Sequence, residues 1–142
     1  MKSATREPVL VVEGDESMRR RLCDYLGQLG YAVDGAGSLG EAIQMALTRP
    51  YAAAVLDVTI GPGTGEAAVS ELQLNQPKMP VIVMSGAPSV RAVIAALRQG
   101  AFDYIIKPYE IQDLATILPR AVERGRQELA ALALTGGAAP PR

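Results

Sequence analysis

Val9-Leu10-Val11-Val12-Glu13-Gly14-Asp15-Glu16-Ser17-Met18-Arg19 changes its period partway along. Four apolar residues in unbroken succession fit a strand buried on both faces, because a strand with one wet face alternates. An acidic turn follows. Met18, Leu22, Tyr25, Leu26 and Leu29 then recur at the spacing of one helical face, and Gly30 supplies the stop. Buried strand, polar turn and amphipathic helix together make one strand–helix unit.

The unit recurs down the chain. Residues 31–33 read as a weak second strand. Ser38, with Glu41 three residues later, reads as a capping box that opens a helix with Leu39, Ile43, Ala46 and Leu47 as its inner face. Residues 52–56 form the third strand, followed by glycine-rich 61–65 and a helix near 66–75 that buries Val69 and Leu72. Residues 81–84 are the fourth strand, and Val90, Val93, Ile94 and Leu97 mark a helix closed by Gly100. Residues 102–106 are the fifth strand, and a last helical pattern starts near Ile111 and continues to Leu134, with Pro119 expected to kink or break it. Strands alternating with helices imply parallel pairing through right-handed crossovers. The expected fold class is α/β, a doubly wound five-stranded parallel sheet of order 2-1-3-4-5, one of the common orders of such sheets.

Composition narrows the function classes. The chain has 142 residues, 49% of them hydrophobic, enough for one domain with its own core. With 14 basic and 15 acidic residues it lacks the basic surplus of a protein that holds nucleic acid directly. Cys23 is the single cysteine, which excludes an intrachain disulfide and fits a small apolar residue on a helix. Histidine is absent, which removes histidine metal ligands, histidine bases and any internal phosphohistidine. No apolar stretch approaches the ~20 residues of a membrane span, and residues 1–7 are polar, so a cytoplasmic location is expected. The expected division is an N-terminal segment (1–7), one domain (8–122), a helical extension (123–134) and a disordered tail (135–142).

Ligands of such sheets bind beyond the carboxyl ends of the strands. The polar residues there are Glu13 and Asp15 after the first strand, Asp57 after the third, Ser85 after the fourth and Lys107 after the fifth. A carboxylate can attack phosphorus to give an acyl phosphate, provided positive charge compensates the approach of two anions. A hard divalent cation on oxygen ligands supplies part of that charge, a lysine ammonium supplies more, and a hydroxyl donates to a phosphoryl oxygen. Acid, acid, hydroxyl and amine on one edge suit this chemistry, in which positioning and electrostatics carry the transfer.

These segments resemble the receiver domain of two-component response regulators. The opening strand with its acidic turn is similar to the family's first motif. Val55-Leu56-Asp57, with Gly65 eight residues on, is similar to the phosphoacceptor segment. Pro80-Val81-Ile82-Val83-Met84-Ser85-Gly86 looks like the strand that ends in the switch hydroxyl. Gly100-Ala101-Phe102-Asp103-Tyr104-Ile105-Ile106-Lys107-Pro108 is close to the family's most recognisable run. The resemblance covers roughly residues 8–122 and implies the flavodoxin-like receiver fold. It further implies Asp57 as phosphoacceptor, Lys107 as phosphate contact, and Ser85 and Tyr104 as the switch pair. Glu13, Asp57 and the backbone carbonyl of Thr59 would hold Mg²⁺, and the Lys107-Pro108 bond would be cis. A histidine kinase or phosphotransfer protein would be the donor, and the output protein or domain is not legible. The face of the fourth helix, fifth strand and last helix would bind a partner or a second copy. A classical enzyme is not implied.

Two departures bear on function. Gly14 stands where the family carries a second acid, so an alternative is a degenerate receiver that binds protein without phosphorylation. Asp15 is better placed to cap the following helix. Pro62 comes one place later than usual, and Gly86 replaces a common alanine, leaving room for a phosphoryl group. An aspartate-dependent phosphatase like the haloacid dehalogenases needs a second aspartate where Thr59 stands. A flavodoxin-type nucleotide binder fails on the acids after the first strand, which repel phosphate.

Overall fold

The structure, a computed structural model, describes residues 6–58, 64–86 and 90–134. The expectations for Thr59, Pro62 and the 135–142 tail lie outside the described residues.

Strands and helices alternate: β1 (Pro8–Val12), α1 (Glu16–Gln28), β2 (Ala32–Ala36), α2 (Leu39–Thr48), β3 (Ala53–Asp57), α3 (Thr64–Leu72), β4 (Val81–Ser85), α4 (Val90–Arg98), β5 (Asp103–Ile106) and α5 (Gln112–Leu134). All neighbouring strands pair in parallel, in the order β2-β1-β3-β4-β5. The expected fold class is the one found.

Side chains of a strand alternate between faces, and here both faces are dry. Leu10, Val12, Ala54, Leu56, Val81 and Val83 pack with Ala42 and Ala46 of α2, Val69 and Leu72 of α3, and Ala96 of α4. Val9, Val11, Ala53, Val55, Ile82 and Met84 pack with Leu22 and Leu26 of α1 and Leu114, Leu118 and Val122 of α5. Burial on both sides is the reason for the unbroken apolar runs. Gly30 and Gly100 take φ of 106° and 114°, the left-handed conformation that ends α1 and α4.

The structure corrects several local expectations. β2 runs on through Asp34 and Gly35, two residues that disguise a strand; Asp34 is accommodated by the Tyr51 hydroxyl at 2.7 Å and Arg49 at 2.9 Å. In α2 Leu39, Ile43 and Ala46 pack inward as expected, but Leu47 is exposed and Ala42 is buried instead. In α4 Ala96 is buried, while Ile94 and Leu97 are each 44% exposed. Pro119 does not end the last helix, which continues from Gln112 to Leu134. Its ring is exposed, and the burial of Leu118, Ala121 and Val122 on either side offsets a proline penalty of ~3 kcal/mol. Ser38 caps α2 by accepting from the Glu41 N–H at 3.1 Å, but the Glu41 carboxylate reaches back to Gly37 N–H, one residue earlier than in a capping box.

Candidate functional site

β1, β3, β4 and β5 end on the same edge of the sheet, and there the apolar runs give way to Glu13, Asp57, Ser85 and Lys107. Register keeps the ends level: Val12 pairs with Leu56, Asp57 with Met84, and Ser85 with Ile106. By alternation Glu13, Asp57 and Lys107 follow Val11, Val55 and Ile105, and so share one parity.

The Asp57 side chain is 1% exposed, and its Oδ2 accepts from Lys107 Nζ at 2.6 Å. Its Oδ1 is buried without a partner. Glu13 is buried too; its Oε2 accepts from the Asp15 N–H at 3.0 Å, and its Oε1 is without a partner. Burial, reinforced by the Asp57 carboxylate facing it, pushes the Glu13 carboxyl up to about 7 against the pull of the Asp15 N–H and the Lys107 ammonium. The ammonium is thus bonded to Asp57 alone, and each of the two buried carboxyl groups keeps one unsatisfied oxygen. Buried polar atoms are normally partnered, so this pair of orphan oxygens calls for a cation or a proton.

The donor set fits Mg²⁺, a hard ion that takes one or two carboxylates and retains several waters. Among the described residues no group of three or more His, Cys, Asp or Glu could hold a metal, so the acidic set is Glu13 and Asp57 alone. Asp15 is committed elsewhere: as N-cap of α1 its Oδ2 accepts from the Met18 N–H at 2.7 Å. A Cβ on Gly14 would meet only the Gly37 carbonyl, at 3.7 Å, so a side chain there has room.

Ser85, at the end of β4, is buried. Tyr104 pairs with Val83 in the neighbouring strand and lies partly buried against the α2–α4 layer, on the parity that Ser85 continues. The Lys107-Pro108 bond is cis, as expected from the sequence. A Cβ on Gly86 would touch the Lys107 stem at 3.7 Å, so Gly86 borders the ammonium's approach. Two neighbours carry no signal in the sequence: Arg19, whose Nη1 donates to the Glu13 carbonyl at 2.8 Å, and Tyr109, whose half-buried phenol is pushed up by burial and then by the charges of Asp57 and Glu13. No helix among the described residues is long and apolar enough to cross a membrane.

Residues 9–119 match the family model of the response regulator receiver domain. The acid tolerance regulatory protein ActR of Sinorhizobium medicae is 33% identical over 82% of this chain and 60% of its own length. The photosynthetic apparatus regulatory protein RegA of Rhodovulum sulfidophilum is 31% identical over 78% of this chain and again 60% of its own length. The chain therefore spans about 60% of these curated relatives. Among solved structures, a receiver domain protein of Methanospirillum hungatei superposes with a TM-score of 0.79 at 22% identity, covering 87% of this chain and 99% of that one. The beryllofluoride-activated NtrC4 receiver domain dimer gives a TM-score of 0.75 at 30% identity, covering 83% and 98%. Sheet order, strand-end residues and family match agree, and the chain belongs to the response regulator receiver domains of two-component signal transduction.

Proposed function

We propose that this chain accepts a phosphoryl group on Asp57 from a histidine kinase or phosphotransfer protein, in a Mg²⁺-dependent reaction, and so switches its protein contacts. The observation that carries this reading is the Asp57 carboxylate, held by Lys107 at 2.6 Å through one oxygen and left with the other buried and unpartnered. Asp57 Oδ1 forms the new O–P bond as the donor's P–N bond breaks and the donor imidazole leaves. Lys107 orients the carboxylate beforehand and holds positive charge for the phosphoryl oxygens. Glu13 Oε1, Asp57 and the Thr59 carbonyl would hold Mg²⁺, which supplies charge compensation when bound. Ser85 donates to a phosphoryl oxygen, and the Tyr104 ring fills the space it leaves. That coupling shifts a population between two packings and creates no new state. The chain works as a signalling switch in the cytoplasm, not as an enzyme with turnover, and touches no nucleic acid itself. Residues 8–122 form the receiver and 123–134 a helical extension toward an output.

Exposed Ile94, Leu97 and Ile106 support a partner face formed by α4, β5 and α5, and the NtrC4 receiver is a dimer in its activated state. A second reading, the degenerate receiver that binds protein without phosphate, is favoured by Gly14 together with the engaged Asp15. Incubation with acetyl phosphate, with Mg²⁺ or with chelator, separates the two. Labelling that requires Mg²⁺ supports the phosphoacceptor; none in either condition supports the degenerate receiver.

A further inference from the structure

Glu13 is the single acid that the first turn sends to the site, and it is followed by Gly14, where a Cβ would meet nothing nearer than the Gly37 carbonyl at 3.7 Å. A glutamate on a turn that contains glycine has both a flexible backbone and an extra side-chain torsion to fix. The structure fixes it from three directions. The Glu13 N–H donates to the Ala36 carbonyl at 3.0 Å, and the Asp15 N–H donates to Oε2 at 3.0 Å. The third hold comes from Arg19, one turn into α1, whose Nη1 donates to the Glu13 carbonyl at 2.8 Å. The path of that side chain is built into β2 and the residue after it. A Cβ on Gly35 would lie 3.0 Å from Cys23 Sγ and 3.4 Å from the Arg19 Cγ and Cδ, and a Cβ on Gly37 3.0 Å from Nη1. The two glycines, on the same parity, leave the track along which the guanidinium reaches the turn.

We propose that Arg19 is a positioning residue for cation binding: by clamping the Glu13 carbonyl across Gly14, it keeps Oε1 directed at the space it shares with Asp57. The inference rests on the phosphoacceptor reading. A preorganised ligand binds more tightly because the ordering is done before the ion arrives. Arg19 touches neither ion nor phosphate, so its effect appears in affinity for the cation and not in the transfer chemistry itself.

The test is a Mn²⁺ titration of the full chain, followed by electron paramagnetic resonance, with melting temperature recorded alongside. Arg19→Met keeps the stem and removes the donors; it should lose about tenfold in Mn²⁺ affinity, the equivalent of one hydrogen bond's contribution. Arg19→Lys, with a compact ammonium in place of the fork, should fall between. Adding Gly14→Asp to Arg19→Met should recover the affinity, since a second acid no longer depends on the clamp. Arg19→Met that melts lower yet binds Mn²⁺ as the parent does would overturn the inference and leave the phosphoacceptor reading standing. A parent chain that binds no Mn²⁺ overturns both. Should Arg19→Met fail to fold, Gly37→Ala decides, because it crowds Nη1 with the arginine kept: a severalfold loss supports the clamp, and unchanged affinity refutes it.

Discussion

At Glu13 burial and function pull in opposite directions. Burial and the facing Asp57 raise its carboxyl to about 7, so the fold favours the neutral acid, while a cation needs the carboxylate. The folded chain therefore holds a proton that the unfolded chain releases near the ordinary value of 4.5. The stability this residue contributes is complete below that value and is lost as pH rises through about 7. Without divalent ions the melting temperature should fall between these limits, and Glu13→Gln should flatten the slope. Mg²⁺ should stabilise the chain more at pH 8 than at pH 5, because only the carboxylate binds it. Gly14→Asp, which has room for its side chain, should tighten Mg²⁺ about tenfold by calorimetric titration, ~1.4 kcal/mol. Unchanged affinity would mean that Glu13 already fills the vacant ligand position. Glu13, Asp57, Ser85 and Lys107 were legible because each interrupts an apolar run at a strand end. Arg19 was not, because its partner is a backbone carbonyl, which any sequence provides.

The elements show the same division between what pattern reveals and what packing decides. β1, β3 and β4 are continuous apolar runs and announce themselves, and β5, which opens on Asp103, is marked by the Ile105-Ile106 pair that follows. β2, an edge strand carrying Asp34 and Gly35, is half polar, and its true length depends on a tertiary hydrogen bond from Tyr51. In α2 three of the four residues expected on the inner face pack there, while Leu47 is exposed and Ala42 is buried, since close approach of helix to strand selects small side chains. α5 carries this furthest. Gly125 is buried, and a Cβ there would collide with the Ala52 carbonyl, so the helix still touches β3's approach beyond Val122. Gly125→Ala gains ~1 kcal/mol of helix propensity and forces an overlap that costs up to about 3 kcal/mol. The overlap wins: urea denaturation should show a net loss of about 2 kcal/mol. A stabilised variant would mean that the end of α5 lifts away at little cost.

For the whole molecule the fold places two surfaces at fixed distance from one buried carboxylate. One is the strand-end site; the other is the face of α4, β5 and α5, where Ile94, Leu97 and Ile106 stand exposed. Ser85 and Tyr104, of one parity on adjacent strands, lie between them. If phosphate at Asp57 governs that face, beryllofluoride with Mg²⁺ should raise the mass found by light scattering at equal chain concentration. Ile106→Lys on the edge strand should abolish the increase without affecting phosphate uptake, and a mass unchanged by beryllofluoride would leave only a different protein as partner. All of this depends on the acceptor. The most direct test is the intact mass of the chain after acetyl phosphate and Mg²⁺, beside Asp57→Asn treated alike. One phosphoryl group should be added to the parent and none to the variant; equal labelling of both, or none on the parent, would rule out Asp57 as the acceptor.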